Sequence, residues 1–194
     1  MATTTALTSE LEAVNIMLDC IGEAPVSSLA TSGLEDVAKA RACLNEISRE
    51  VQQKDWGFNY EVDYPLTRAV DGTITVPSNT LEVSLTVPRS DMDITLRGTR
   101  VYDKKNHTYT FTDDIDVNIK FLLEWSDLPQ AARNYIAIRA ARVFQGRSFG
   151  SDTKHKFSED QEFMALTNLK NTNGRQENYN MLSGSYSAAF IIER

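Results

Sequence analysis

Histidine, cysteine, long apolar runs and excess positive charge are all scarce in this chain, and each scarcity removes a class of function. There are 2 histidines and 2 cysteines among 194 residues. His107 and His155 each stand in a polar loop without cysteine, a second histidine or spaced carboxylates, so no metal site is expected. Cys20 and Cys43 lie in helical patterns beside apolar residues and without a nearby histidine. They are expected to be reduced core thiols, not a disulfide framework or a catalytic thiolate. No run approaches the roughly 20 apolar residues of a membrane span. The opening MATTTALTSELEAV has neither a basic start nor an apolar centre, so no secretory signal is expected. There is no G-x-S-x-G elbow and no Walker-type phosphate loop, and no cofactor is expected. A formal charge of −7 argues against a grip on nucleic acid, which needs a basic face. It leaves room for nucleic acid to pass an acidic wall, because like charges repel.

What is present is a set of well-punctuated helices. Ser9 with Glu12 makes a capping box, and Gly22 and Pro25 close the first helix. Leu11, Val14, Leu18 and Ile21 recur three and four apart, the seam of a helix that packs on helices. Ser32 with Glu35 opens the second helix, whose seam is Val37, Ala40, Leu44, Ile47 and Val51. Arg41, Asn45, Arg49 and Gln52 are assigned to its solvated face, and Gly57 to its end. The third helix is the organising one: WSDLPQAARNYIAIRAARVFQGRSFG at 125–150. Asp127 is its expected cap, with Pro129 in the first turn, Gln130 in the capping box, and Gly146 and Gly150 past its end. Ala132, Ile136, Ala140 and Val143 form one stripe, and Tyr135 and Ile138 load the other side. A helix apolar most of the way round is buried on both sides, yet this one carries Arg133, Arg139, Arg142 and Arg147. Buried arginines need partners. Arg139 and Arg142 are therefore expected to meet carboxylates across a contact with the bundle or with a neighbouring subunit. A fourth helix is expected from Ser158, with Gln161 in its capping box and a stripe of Phe163, Leu166 and Leu169.

Between the second and third helices the period becomes alternating. Strands are expected at Thr73–Val76, Leu81–Val87, Ile94–Arg97, Arg100–Asp103, Tyr109–Thr112 and Val117–Trp125, paired as antiparallel meanders. Asp71-Gly72 and Arg97-Gly98 supply turns. The fold class is thus α+β: a helical bundle of about four helices with an inserted antiparallel β domain and an extended C-terminal tail. The boundaries read as 1–57 for a helical hairpin, 58–125 for the β domain, 126–178 for the helices completing the bundle and 179–194 for the tail. The tail carries Tyr179, Met181, Leu182, Tyr186, Phe190, Ile191 and Ile192, too much apolar surface to stay in water. These residues, with Arg139 and Arg142, are the candidate interface residues.

One enzymatic constellation competes with an interaction role. Asp55 precedes Trp56, and Glu124 and Asp127 flank Trp125. Paired acids beside indoles are what a glycosidase uses to hold and protonate sugars. The bland alternative places both rings as fillers at the seam between helices and strands, with Asp127 as a cap. No catalytic residue is assigned.

Five stretches also carry a family resemblance. ELEAVNIMLDCIGEAPVSSL at 10–29, QQKDWGFN at 52–59, RGTRVYD at 97–103, LPQAARNYIAIRAARVFQGR at 128–147 and YNML at 179–182 together resemble tail tubular protein A, the tail adaptor of short-tailed bacteriophages. The match runs in order over nearly the whole chain and is thinnest at 150–178. The resemblance implies a structural gatekeeper: a homo-oligomeric, dodecameric ring between the portal protein and the tail nozzle protein, with tail fibres attached nearby. It implies a place in the virion tail, synthesis in the host bacterial cytoplasm, and a channel through which viral DNA is retained and then ejected without specific binding. It brings no catalytic motif. The alternative from the Trp–carboxylate clusters is a polysaccharide-binding or polysaccharide-hydrolysing tail component.

Overall fold

A computed structural model of the chain describes residues 6–30, 35–149 and 152–176. Helix α1 (Glu10–Ile21) starts where Ser9 Oγ accepts the Glu12 N–H at 3.2 Å and Glu12 Oε2 accepts the Ser9 N–H at 2.7 Å. It stops at Gly22, whose φ of 83° is open to glycine at little steric cost and lets its N–H reach the carbonyls of Leu18 and Asp19. Helix α2 (Glu35–Gln52) buries its whole expected seam, Val37 through Val51. Its expected cap, Ser32, lies outside the described residues.

Helix α3 (Gln130–Phe149) packs against α1, α2 and α4, which is why it is apolar nearly all round. Ala132, Tyr135, Ile136 and Ala140 are buried. Its ends differ from the sequence reading. Asp127 belongs to a short 3-10 turn (Trp125–Asp127) and accepts from Ser126 Oγ. The Gln130 side chain bonds Thr8 instead of closing a capping box. Gly146 is helical, because packing on three neighbours outweighs its cost of roughly 1 kcal/mol against alanine. Helix α4 runs Asp152–Gln176, so Ser158 is an interior position and not a cap. Its inward face is Glu162, Ala165 and Leu169, with Leu166 partly buried, while Phe163 points outward.

The β part holds two sheets. Strands β1 (Tyr60–Leu66), β2 (Thr80–Leu85) and β5 (Ile115–Phe121) form one, in the order β1-β5-β2 and antiparallel throughout. It is not a sequential meander: the last strand in the chain lies between the first two. Strands β3 (Ile94–Arg97) and β4 (Arg100–Asp103) form a separate hairpin at the expected residues. Gly98, at φ 64°, is the first of its two turn residues, where a tight hairpin of right-handed twist favours positive φ. Strand β1 was not expected, because Glu61, Asp63 and Pro65 spoil a strand pattern. All three are tolerated because β1 is an edge, and the register slips between Glu61 and Tyr64 around Asp63, at φ 57°. Two expected strands are reduced to isolated bridges, Thr73↔Thr110 and Thr75↔Arg100, although Ile74, Val76 and Phe111 are still buried. The last expected strand ends at Phe121, short of Trp125.

Two hydrophobic clusters result. One joins α1, α2, α3 and α4 through Met17, Leu18, Leu44, Ile136 and Leu169. The other fills the β part through Ile74, Val83, Val101, Val117 and Ile119. Each fully buried aliphatic side chain contributes about 1.5–3 kcal/mol. The described part of the chain is thus α+β, with four α-helices and antiparallel sheets.

Candidate functional site

The two arginines named from the sequence lie on α3 where it faces α4, partly buried. Arg139 Nη1 donates to Glu162 Oε1 at 2.6 Å and Arg139 Nη2 to Glu50 Oε1 at 2.5 Å. Arg142 Nε donates to the other oxygen of Glu162, and its Nη1 lies 3.5 Å from Glu159. Helical spacing explains the cluster: residues three apart share a face, so both guanidiniums reach one carboxylate on α4. Further along, Arg147 makes a fork with both oxygens of Glu46, at 2.7 and 2.8 Å. That pair holds the Arg147 proton more firmly and keeps the Glu46 carboxyl below its usual range. Beside it is a cleft of about 580 Å³ that reaches Cys43. Burial pushes the Cys43 thiol up, partly countered by Arg147, so it is a poor nucleophile. Among the described residues Arg133 has no carboxylate in ion-pair contact. It donates to the carbonyls of Leu128, Ser126 and Thr8, sewing the chain before α1 to the start of α3.

The outward face of α4 is the surface that the sequence reading missed. Glu162 takes the inner position to serve the arginines, which turns Phe163 and Met164 to the outside, 70% and 71% exposed. The hint was available in the sequence: Glu162, Ala165 and Leu169 also recur at helical spacing, but an acid is not counted in an apolar stripe. The seven tail residues, Tyr179, Met181, Leu182, Tyr186, Phe190, Ile191 and Ile192, lie outside the described residues.

A buried polar joint ties the helices to the strands, and it too escaped the sequence reading. Gln52, assigned to the solvated face of α2, is 0% exposed. Its amide exchanges two bonds with the Leu123 backbone, at 2.8 and 3.1 Å. Asn59 donates to the carbonyls of Gln52 and Phe121. Lys120 on β5 reaches Asp55, Glu82 and the Gln53 carbonyl. Burial lowers the proton affinity of Lys120, but the bonds to Asp55 and Glu82 outweigh it, and its pKa is raised.

The indoles sit at this seam as packing. Trp56 is buried, donates to the Val51 carbonyl at 2.8 Å and stacks on Phe58. Trp125 is partly buried and donates to Thr8. Asp55 is engaged by Lys120. Trp56 thus offers no exposed ring, and Trp125 only part of its own.

The β3–β4 hairpin carries a different chemistry at its closing end. Arg97 and Arg100 are cross-strand partners. The Arg97 guanidinium lies 3.6 Å from the Tyr102 ring centre and that of Arg100 4.6 Å from Tyr109, while the two rings are 4.7 Å apart. Among the described residues neither guanidinium has a carboxylate in ion-pair contact. At the open end, Asp103 is 2% exposed, and its carboxylate accepts from the Asn106 side chain and from the N–H groups of Asp93, Lys105 and Asn106. Burial raises its pKa, but these bonds outweigh burial and hold it below the usual carboxylate range. Among the described residues no cluster of three metal-type ligands forms and no helix is long and apolar enough to cross a membrane.

The family description "tail tubular protein" matches residues 11–179, which takes in all the secondary structure described except the first residue of α1. Tail tubular protein A of Klebsiella phage KP34 is 28% identical over 146 residues, covering 75% of this chain and 76% of that protein. The chain therefore belongs to the tail tubular protein family, structural components of phage tails.

Proposed function

We propose that this chain is the ring-forming adaptor of a short phage tail, set between the portal protein and the tail nozzle protein. Its ring would line part of the conduit that retains viral DNA and then passes it, with tail fibres attached nearby. It would be made in the host bacterial cytoplasm, act in the virion tail and have no catalytic role. The observation that carries the reading is the apolar surface left over by a single subunit of a tail protein family: Phe163 and Met164 stand out on α4. An apolar segment, 179–192, follows that helix in sequence. Large exposed apolar side chains side by side are what a subunit covers with another copy or another protein. The formal charge of −7 supports a wall along which DNA slides without adhering.

The experiment is the mass of the full-length protein by sedimentation velocity across a concentration series, with images of any assembled fraction. Closed rings that co-migrate with portal protein are the expected result. A chain that stays monomeric and ignores portal protein counts against the adaptor role.

A further inference from the structure

We propose that the closing end of the β3–β4 hairpin is one half of a copy-to-copy contact, in which Arg97 and Arg100 of one subunit enter the acidic cleft of the next, bounded by Asp63, Asp114 and Asp116. The inference rests on the ring reading above and specifies which surfaces join.

The hairpin end is incomplete as it stands. Arg97 and Arg100 face each other across the strands, and like charges in that position repel. The faces of the Tyr102 and Tyr109 rings hold both guanidiniums. No described acceptor takes their side-chain N–H donors. The carboxyl of Asp71 is kept low first by hydrogen bonds from Thr73 and least by the charge of Arg100. A guanidinium steadied on an aromatic ring presents its donors in a fixed fork, the geometry that suits a carboxylate from outside.

The complement is on the same molecule, where Asp114 Oδ1 already accepts the Arg68 N–H at 2.8 Å and Oδ2 has no partner among the described residues. A cleft of about 220 Å³ is bounded by Asp63, Asp114 and Asp116. One arginine, Arg89, also lines it, but Arg89 is held by both oxygens of Asp91, at 3.1 and 2.8 Å. The exposed Val87 lies on the cleft wall and would be covered by an incoming hairpin. The cleft belongs to the open end of the hairpin, where Arg89 precedes β3, and the two arginines to its closing end. A contact between two different surfaces is head-to-tail, the kind that builds a ring when the rotation from one subunit to the next closes. The alternative occupant, the phosphates of DNA, fits less well: an adaptor that must release a genome gains nothing from stacked arginines on its path, and the chain is acidic overall.

The test uses the full-length chain and three variants: Arg97→Glu with Arg100→Glu, Asp114→Lys with Asp116→Lys, and all four together. Ring fraction is read by sedimentation velocity, folding by the circular dichroism melt, and DNA affinity by gel shift with duplex DNA. Each pair should weaken assembly by at least about tenfold, and the fourfold variant should recover it, because exchanged charges attract again. Should Arg97→Glu or Arg100→Glu unfold the hairpin, Arg97→Gln with Arg100→Gln replaces that pair and should also weaken assembly. Rings of wild-type stability in the arginine variant overturn this contact and leave the ring reading intact. So does a folded fourfold variant that stays apart, and so does an arginine variant that assembles normally but loses a DNA shift. A wild-type chain that never forms rings overturns the ring reading, and this contact with it.

Discussion

One carboxylate, Glu162, serves two arginines of the same helix, and this is where a single substitution should cost most in the bundle. Its side chain is 12% exposed and those of Arg139 and Arg142 are 24% and 23% exposed, so the cost lies between surface and buried limits. Glu162→Gln should lower stability by ~1–3 kcal/mol. Glu46→Gln, at the half-exposed pair with Arg147, should cost clearly less, because water screens that pair. Chemical denaturation of the two variants checks the ranking, and equal midpoints would mean that the arginines need no partner. Asp103 supplies the pH-dependent counterpart. Its folded pKa lies below its unfolded value of about 3.9, so its contribution is complete above that pH. It is lost as pH falls through the depressed value. Asp103→Asn should therefore flatten the loss of melting temperature between neutral and strongly acid solution, and an unchanged acid slope would contradict this account. The pairing of Arg139 and Arg142 was expected from the sequence, but the identity of Glu162 was not. Three acids on α4 are near in sequence, and only packing decides which faces inward.

At the scale of elements, the joint between α2 and β5 decides how the two hydrophobic clusters move together. Gln52→Leu strands the N–H and C=O of Leu123 in a half-buried place, at ~1–3 kcal/mol. Lys120→Met should cost less, since Asp55 and Glu82 are largely exposed and return to water. Hydrogen exchange by mass spectrometry is the measurement. Gln52→Leu should speed exchange in β1 and β5 more than in α1 and α3, because the strands lose their anchor to the bundle. Uniform acceleration would show that the chain unfolds as one unit whatever the state of the joint. Helices α1 and α2 were legible in advance because caps and seams are local. Strand β1 was not, because an edge position, which excuses Pro65 and the acids, exists only once β5 has paired beside it.

At the scale of the molecule, the tail is the prediction with most at stake. Burying each of its large side chains would give ~1.5–3 kcal/mol, against ~1–2 kcal/mol per residue for ordering the backbone. Apolar contact alone therefore offsets the ordering of 179–194 only in part, and backbone hydrogen bonds to a partner are needed. Truncation after Asn178 should leave helical circular dichroism and a cooperative melt, and should abolish ring formation or attachment to portal and nozzle. An unfolded truncated chain would assign the tail to the subunit's own core. Complete tails from truncated subunits would leave it without an assembly role.

The sequence by itself determined what local chemistry controls: the Ser9–Glu12 cap, the Gly22 stop, the seam of α2, the β3–β4 hairpin with its glycine turn, and a central helix too apolar to face water. It also determined the α+β class, since the period of the pattern changes once along the chain and then changes back. Only the tertiary structure decided what depends on neighbours distant in sequence. It set β5 between β1 and β2, buried Gln52 against Leu123, gave Glu162 to two arginines and so turned Phe163 outward. A side chain's local pattern fixes which face it shares, but burial is the property of a surface, and that surface is completed by residues many positions away.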